Sequence, residues 1–561
     1  MERRVLLAVA LSLLVLFAFR YLEERKMQRG PRQQEAVTRT SLPASPPAQS
    51  APELPAEQPI EKPVSAGDTQ AEIRQLVVDC DLYRAVLDNR GGLITSWQLK
   101  RHKSARGEVF EMISDGRNPE GRPYPGALVL DDAALGRTAN NEPYAFEIVE
   151  GSGSELTFAP PVTVAMNLRR GDFSVEKRFR FFADNYVAEY IVAAERSGRP
   201  LQGRVLVGED IGPEHEHLIN TSVKLTAVYS LAGKVKRQDP PKEEKDIERI
   251  SGGIGWVGLD MQYFAILAVP AGIALDAIEV QKRVAKTTGL DGKELSRELV
   301  RVMIPTNGAA RLRFFVGPKE QAYLEKIQGA DLQKVIDYGM FSFLVRPLLV
   351  SLKWLYKYVH NYGLAIILLT LLLTLLLFPF RLKQIVSMKK MAVVQPKIKA
   401  IQEKYKRYKA TDPKRAEMNQ EIMAIYKQHN VNPLGGCLPL LLQMPLLFAF
   451  YSLLAYSIEL RQAPFVGWMQ DLSAKDPYYV LPIVMGITMM ISQKMTPMTP
   501  GADPTQAKVM MIMPAVFTVM FLNVSSGLNL YFLCSNIFQI GFQKIAERWI
   551  RDAPTQRRPK P

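Results

Sequence analysis

Residues 363–380 are almost unbroken Leu, Ile and Thr, and the next residue, Arg381, opens a segment dense in Lys and Arg. A stretch this apolar must satisfy its backbone within a helix, and it suits lipid better than water. Further apolar runs lie at 438–458, 478–492, 509–524 and 528–543, and another at 5–19 follows Met1-Glu2-Arg3-Arg4. That makes six candidate spans in 561 residues whose mean hydropathy of −0.05 conceals the partition. The N-terminal run is followed by Arg20-Tyr21-Leu22 rather than a small-x-small step, so it reads as an uncleaved signal anchor over 1–29.

Charge sets the expected orientation. Residues 381–430 carry thirteen Lys/Arg against four Asp/Glu, and 544–561 six against two, so +9 and +4 of the net +15 lie beside apolar runs. By the positive-inside rule both segments face the cytoplasm, as do both termini. The region between the first two spans is then exported.

Within that region, residues 30–70 are rich in Pro, Ala, Gln and Ser and form a tether. Residues 71–318 change to short runs of period-two alternation, such as Phe173-Ser174-Val175-Glu176-Lys177-Arg178-Phe179-Arg180-Phe181, punctuated by Gly, Asn and Asp. The pattern predicts one large antiparallel β-sandwich. After Pro318 the period becomes helical, over a connector at 319–362. Phe341 to Val359 mixes apolar and aromatic residues with Arg346, Lys353 and Lys357, which predicts a helix lying in the membrane interface. The basic segment 381–432 repeats Met391, Val394, Ile398, Ile401, Tyr405 and Tyr408 at helical spacing, and Asp412-Pro413 starts a second helix. It reads as a cytoplasmic helical hairpin. The remaining four spans fall within 433–549, before a basic tail at 550–561.

Several motifs are decoys. Gly253-x-Gly255-x-x-Gly258 leads into a strand pattern rather than the helix a dinucleotide site needs. His215-Glu216-His217 lacks further ligands, and Leu434-Gly435-Gly436-Cys437 is a lipoprotein-like box in mid-chain. Cys80, Cys437 and Cys534 are too far apart for a disulfide framework or a zinc ribbon. With no nucleophile, base and orienter set, the chain reads as a non-enzyme, without cofactor or metal.

Polar residues within the runs are the informative exceptions, because an unsatisfied polar group in hydrocarbon costs several kcal/mol. Thr370 and Thr374 share a face of the second span, Gln443 lies in the third, and Asn529, Ser535, Asn536 and Gln539 lie in the last. They converge on a polar groove, or they only hold the bundle together by interhelical hydrogen bonds. The runs of 15 or 16 residues at 478–492, 509–524 and 528–543 are short for a core of about 30 Å, which predicts a locally thinned bilayer.

At Gln395-Pro396-Lys397-Ile398, Asn432-Pro433-Leu434-Gly435-Gly436-Cys437, Gln443-Met444-Pro445, Leu460-Arg461-Gln462-Ala463-Pro464-Phe465 and Asp471-Leu472-Ser473-Ala474-Lys475-Asp476-Pro477-Tyr478-Tyr479, the chain resembles the YidC family of membrane-protein insertases. The resemblance runs from about Met340 to Trp549, and the anchor, tether and exported domain match the long Gram-negative form of the inner membrane. It implies a groove open to cytoplasm and lipid but closed to the outside. The residues it places there are Thr370, Thr374, Gln443, Asn529, Phe532, Ser535 and Asn536. Arg381 and Lys383 stand at the cytoplasmic mouth, and Met444, Phe448, Met513 and Phe517 form a slide for the apolar segment. The family's usual groove cation falls four residues before Phe378-Pro379, at Thr374 in this chain, and its usual tyrosine on the last span falls at Phe532. Arg381, seven residues after Thr374, lies on roughly the same helical face at the cytoplasmic end and is expected to attract acidic tails at the mouth. The implied partners are nascent integral membrane proteins, the Sec translocon with its accessory subunits, the ribosome and anionic phospholipids, with no DNA. A transporter or channel, and a tethered exported carbohydrate-binding protein, are the competing classes.

Overall fold

The computed structural model describes residues 71–113, 124–154, 156–212, 224–272, 275–288, 294–408, 412–429, 438–495 and 504–552. The signal-anchor run at 5–19, the tether, His215-Glu216-His217, Leu434-Gly435-Gly436-Cys437 and the tail at 553–561 lie outside them. The described residues fall into two compact units, one of 71–318 with 325–332, the other of 319–324 with 333–552.

The first unit is built of strands. In Phe173–Phe181 the alternation is realised residue by residue: Phe173, Val175, Phe179 and Phe181 are buried and their neighbours face outward. The strand pairs antiparallel with Thr157–Arg170 on one side and Val187–Arg196 on the other. Among the described residues eighteen strands join in one hydrogen-bonded network, a curled sheet rather than the two separate sheets of a sandwich. Strands of 14 residues such as Ile247–Asp260 bend at register shifts, here between Ser251 and Ile254, and so carry the sheet round. One pairing is parallel, Gln75–Asp79 against Thr157–Arg170. The core includes Tyr83 stacked on Trp97, with ring centroids 4.2 Å apart.

The dinucleotide-like glycines lie in the strand Ile247–Asp260. A Cβ on Gly258 would sit 2.0 Å from the Ile266 carbonyl oxygen, so a glycine is needed there for strand approach, not for phosphate.

One polar residue sits on the apolar face of its strand. Lys177 is fully buried, and its ammonium donates to the carbonyls of Gly91 (2.8 Å), Gly92 (3.3 Å) and Gly126 (3.2 Å). Burial pushes it down to about 7.

The second unit is helical. In Ala133–Asn141 (α1), back in the strand-rich unit, Asp132 caps the only α-helix described before residue 319. The longer helices follow: Ser342–Val359 (α2), Tyr362–Lys404 (α3), Lys414–Gln428 (α4), Leu438–Tyr456 (α5), Val480–Met495 (α6), Pro504–Phe521 (α7) and Ser526–Asp552 (α8).

Helix α2 buries Val345, Leu348, Leu349 and Leu352 and leaves Phe343, Val350, Trp354 and Tyr358 exposed. It therefore has two apolar faces, one for its neighbours and one uncovered by protein. It ends at His360, in the left-handed conformation (φ 51°), and Asn361 then caps α3 by accepting from Leu364 N–H at 3.0 Å.

The sequence predicts a span followed by a separate hairpin helix, yet α3 is one helix of 43 residues through Pro379 and Pro396. Each proline removes one N–H donor from the ladder, which a long helix tolerates with a bend rather than a break. Within it, Tyr362–Leu382 is long and apolar enough to cross a membrane, with mean hydropathy 2.6. The far end packs Met391, Val394 and Ile398 against Ile422, Ile425 and Tyr426 of α4. That is the predicted seam.

A polar cleft between three helices

Successive helical turns place Thr370, Leu373, Thr374, Leu377 and Arg381 on one face of α3. Facing them are Leu446 of α5 and Tyr531 and Ser535 of α8, and together they line a small, partly open cleft. Its surroundings are apolar: Leu369, Phe450, Leu453, Leu454 and Leu530 belong to the buried cluster around it.

Thr370 and Thr374 are both buried, and their hydroxyls donate back along α3, to the carbonyls of Ile366 (2.6 Å) and Thr370 (2.7 Å). Their protons are thus committed within one helix and do not bridge to another. What each threonine can still offer is a hydroxyl oxygen as acceptor. Tyr531 is held flat against Phe450 of α5, with ring centroids 4.0 Å apart.

Arg381 stands two turns beyond Thr374 but lines the same cleft. A helical side chain leans toward its helix N-terminus, so a long residue at 381 reaches back toward 374. The cleft is therefore lined by an arginine although position 374 holds none.

Other candidates lie elsewhere. Phe532 does not line the cleft; it points 100° away round α8, edge-on to Phe521 at 4.8 Å. The cleft aromatic is its neighbour Tyr531, which sequence reasoning passed over because two adjacent aromatics differ only in helical phase. Asn529 is fully buried and donates to the carbonyls of Phe521 and Val524, both at 3.2 Å, fastening the turn between α7 and α8. Asn536 is half-buried, with Nδ2 unpartnered. Phe448 is partly exposed and stacks near Phe341 at 5.7 Å, whereas Met444, Met513 and Phe517 are half-buried. The side chains of Gln443 and Lys383 lie outside the described residues.

Comparison with known proteins decides the family. A family model described as the YidC periplasmic domain matches residues 75–351, and one described as 60Kd inner membrane protein matches 354–553. The membrane protein insertase YidC of Syntrophus aciditrophicus is 34% identical over 97% of this chain and 99% of its own. That of Geotalea daltonii is 36% identical over 97% and 98%. The chain belongs to the YidC family. A solved structure of an active YidC insertase with its first transmembrane domain resolved aligns over 84% of this chain and 93% of that one, at 17% identity and a TM-score of 0.35. YidC proteins are inner-membrane proteins with a periplasmic β-rich domain, and the strand-rich unit falls within the match to that domain.

Proposed function

We propose that the chain is a membrane-protein insertase and chaperone. It takes the polar tail of a nascent span into the cleft between α3, α5 and α8 while the apolar segment leaves sideways into lipid. The observation that carries this reading is a cleft with two threonines, a tyrosine, a serine and an arginine inside an otherwise apolar helical cluster. A tail crossing hydrocarbon needs donors and acceptors in place of water, and those side chains provide both. No bond is made or broken, so the reading calls for no catalytic residue, metal or cofactor.

Arg381 takes the part of the cation missing at Thr374 and favours acidic tails, with Lys383 adding charge at the mouth. Gln443 and Asn536 extend the polar path, and Met444, Phe448, Met513 and Phe517 form the lipid-side slide. Phe532 and Asn529 hold α8 in place rather than meeting the tail. Six spans with both termini in the cytoplasm account for the position of +13 of the net +15 charges. They put residues 71–318 outside the inner membrane of a Gram-negative cell. The basic hairpin meets anionic headgroups and the ribosome, and the spans work alone or beside the Sec translocon.

The test is reconstitution. Purified protein in liposomes is expected to insert a single-span substrate with an acidic tail, the tail becoming protected from external protease without nucleotide. Protection equal to protein-free liposomes contradicts the reading.

A further inference from the structure

The segment 463–479 is the later part of the connection from α5 to α6, and its hydrogen bonds reach the first residues of three helices. The Phe465 carbonyl accepts from Asn361 Nδ2 (3.0 Å), at the start of α3. The Leu472 carbonyl accepts from Gly527 N–H (2.8 Å), and that of Ala474 from Ser526 N–H (2.7 Å) and Oγ (2.9 Å), at the start of α8. At the start of α6 the partner is a side chain: Asp476 Oδ1 accepts from Trp468 Nε1 and Tyr478 N–H, both at 3.0 Å, and Oδ2 from Leu481 N–H at 2.7 Å. Contact with α3 is close enough that a Cβ on Gly363 would lie 2.0 Å from the Phe465 ring.

Asp476 is the one carboxylate in this network that joins the segment to itself, through Trp468, and to a helix, through Leu481. Its side chain is almost wholly buried. Charge-assisted bonds to backbone N–H groups at a helix start are among the stronger hydrogen bonds, and removing the carboxylate takes the acceptor from three donors, of which the Leu481 N–H is buried and the Trp468 and Tyr478 donors are part-buried. Helices α3 and α8 supply all but one of the cleft-lining residues, and the segment sits at their N-terminal ends. Arg381 is 19 residues along α3 from its first residue, about 28 Å at 1.5 Å per residue.

We propose that Asp476 is a positioning residue that latches segment 463–479 across the starts of α3, α6 and α8. The latch closes the cleft at the end away from Arg381, so the membrane stays tight while the Arg381 end is open to water. The proposal goes beyond the insertase reading and rests on it only in taking the cleft to be wet.

The test is ion leak through liposomes carrying the full chain, with no substrate present, measured as decay of a potassium diffusion potential. Asp476→Ala is expected to leak several-fold faster than the parent protein. Asp476→Asn keeps one acceptor oxygen, and Trp468→Phe removes only the indole N–H; both are expected to fall between. Protease resistance of the helical unit checks that each variant is folded. A folded Asp476→Ala protein as tight as the parent overturns the proposal. If Asp476→Ala does not fold, the two milder variants decide: leak above the parent supports the latch, and leak equal to it overturns it. Substrate insertion by the parent protein in the same liposomes reports on the insertase reading separately, so failure of one is not failure of the other.

Discussion

Tyr531 of α8 lies face to face with Phe450 of α5, centroids 4.0 Å apart and planes 13° from parallel. The stack fixes one wall of the cleft that Thr370 and Thr374 also line. Tyr531→Phe keeps the stack and changes only polarity, so its thermal unfolding is expected to stay close to the parent's while insertion of polar tails slows. Tyr531→Ala also loses the packing, at about 3–5 kcal/mol. A Tyr531→Phe protein that inserts at the parent rate removes the phenol from the mechanism.

Arg381 is the one cationic residue among the described residues that line the cleft. Arg381→Ala is expected to slow insertion of acidic-tailed substrates several-fold and to leave neutral tails nearly unaffected. Adding Thr374→Arg to that variant is expected to restore the acidic substrates, because the same charge re-enters the same cleft two turns away. Insertion kinetics in liposomes for paired substrates differing only in tail charge check both statements.

The hairpin makes a prediction about salt. Thirteen Lys/Arg lie between residues 381 and 430, so association with ribosomes or anionic liposomes is expected to weaken steeply as salt rises. Ile398→Ala removes a fully buried side chain from the α3–α4 seam and costs about 2–5 kcal/mol there. Proteolysis within 405–413 is expected to speed up. Salt-independent association removes the electrostatic account.

Lys177 makes the strand-rich unit's stability depend on pH. An unfolded lysine titrates near 10.4, whereas in the fold burial brings Lys177 to about 7. Between about pH 7 and 10 the unfolded chain then holds more protons than the folded one, so this residue makes stability rise with pH. Lys177→Met is expected to lose that slope and to be less stable overall, because three carbonyls lose their donor. Thermal unfolding of parent and variant across pH 6–10 measures the difference, and parallel curves contradict it.

Much of this was legible because it depends on local pattern. The period of Met391, Val394 and Ile398 gave the seam with α4, and the aromatic and basic mixture at 341–359 gave α2 within one residue. The facing of Thr370 and Thr374 followed from their spacing. What depends on partners was not legible. Tyr531 and Phe532 are chemically alike, and only Phe450 on another helix shows which one faces the cleft. The reach of Arg381 into the cleft depends on how near α8 stands. The change from apolar to basic residues at 380–381 suggested two separate helices, whereas α3 continues through Pro379 as one. Lys177 shared the apolar face of its strand in the alternation, but its three carbonyl partners come from residues 51 to 86 positions away. Asp476 sat in a family motif without a role, because its donors are set by the turn it caps.

The central claim is that nascent chains pass through this cleft. Photocrosslinkers at Thr374 and Ser535, with Phe532 as an off-cleft control, should be set against ribosome-stalled single-span chains of increasing length in native vesicles. The account predicts tail crosslinks from Thr374 and Ser535 at short lengths, fading as crosslinks from Phe448 to the apolar segment rise, with Phe532 silent throughout. Insertion that proceeds with no crosslink from Thr374 or Ser535 at any length would contradict it.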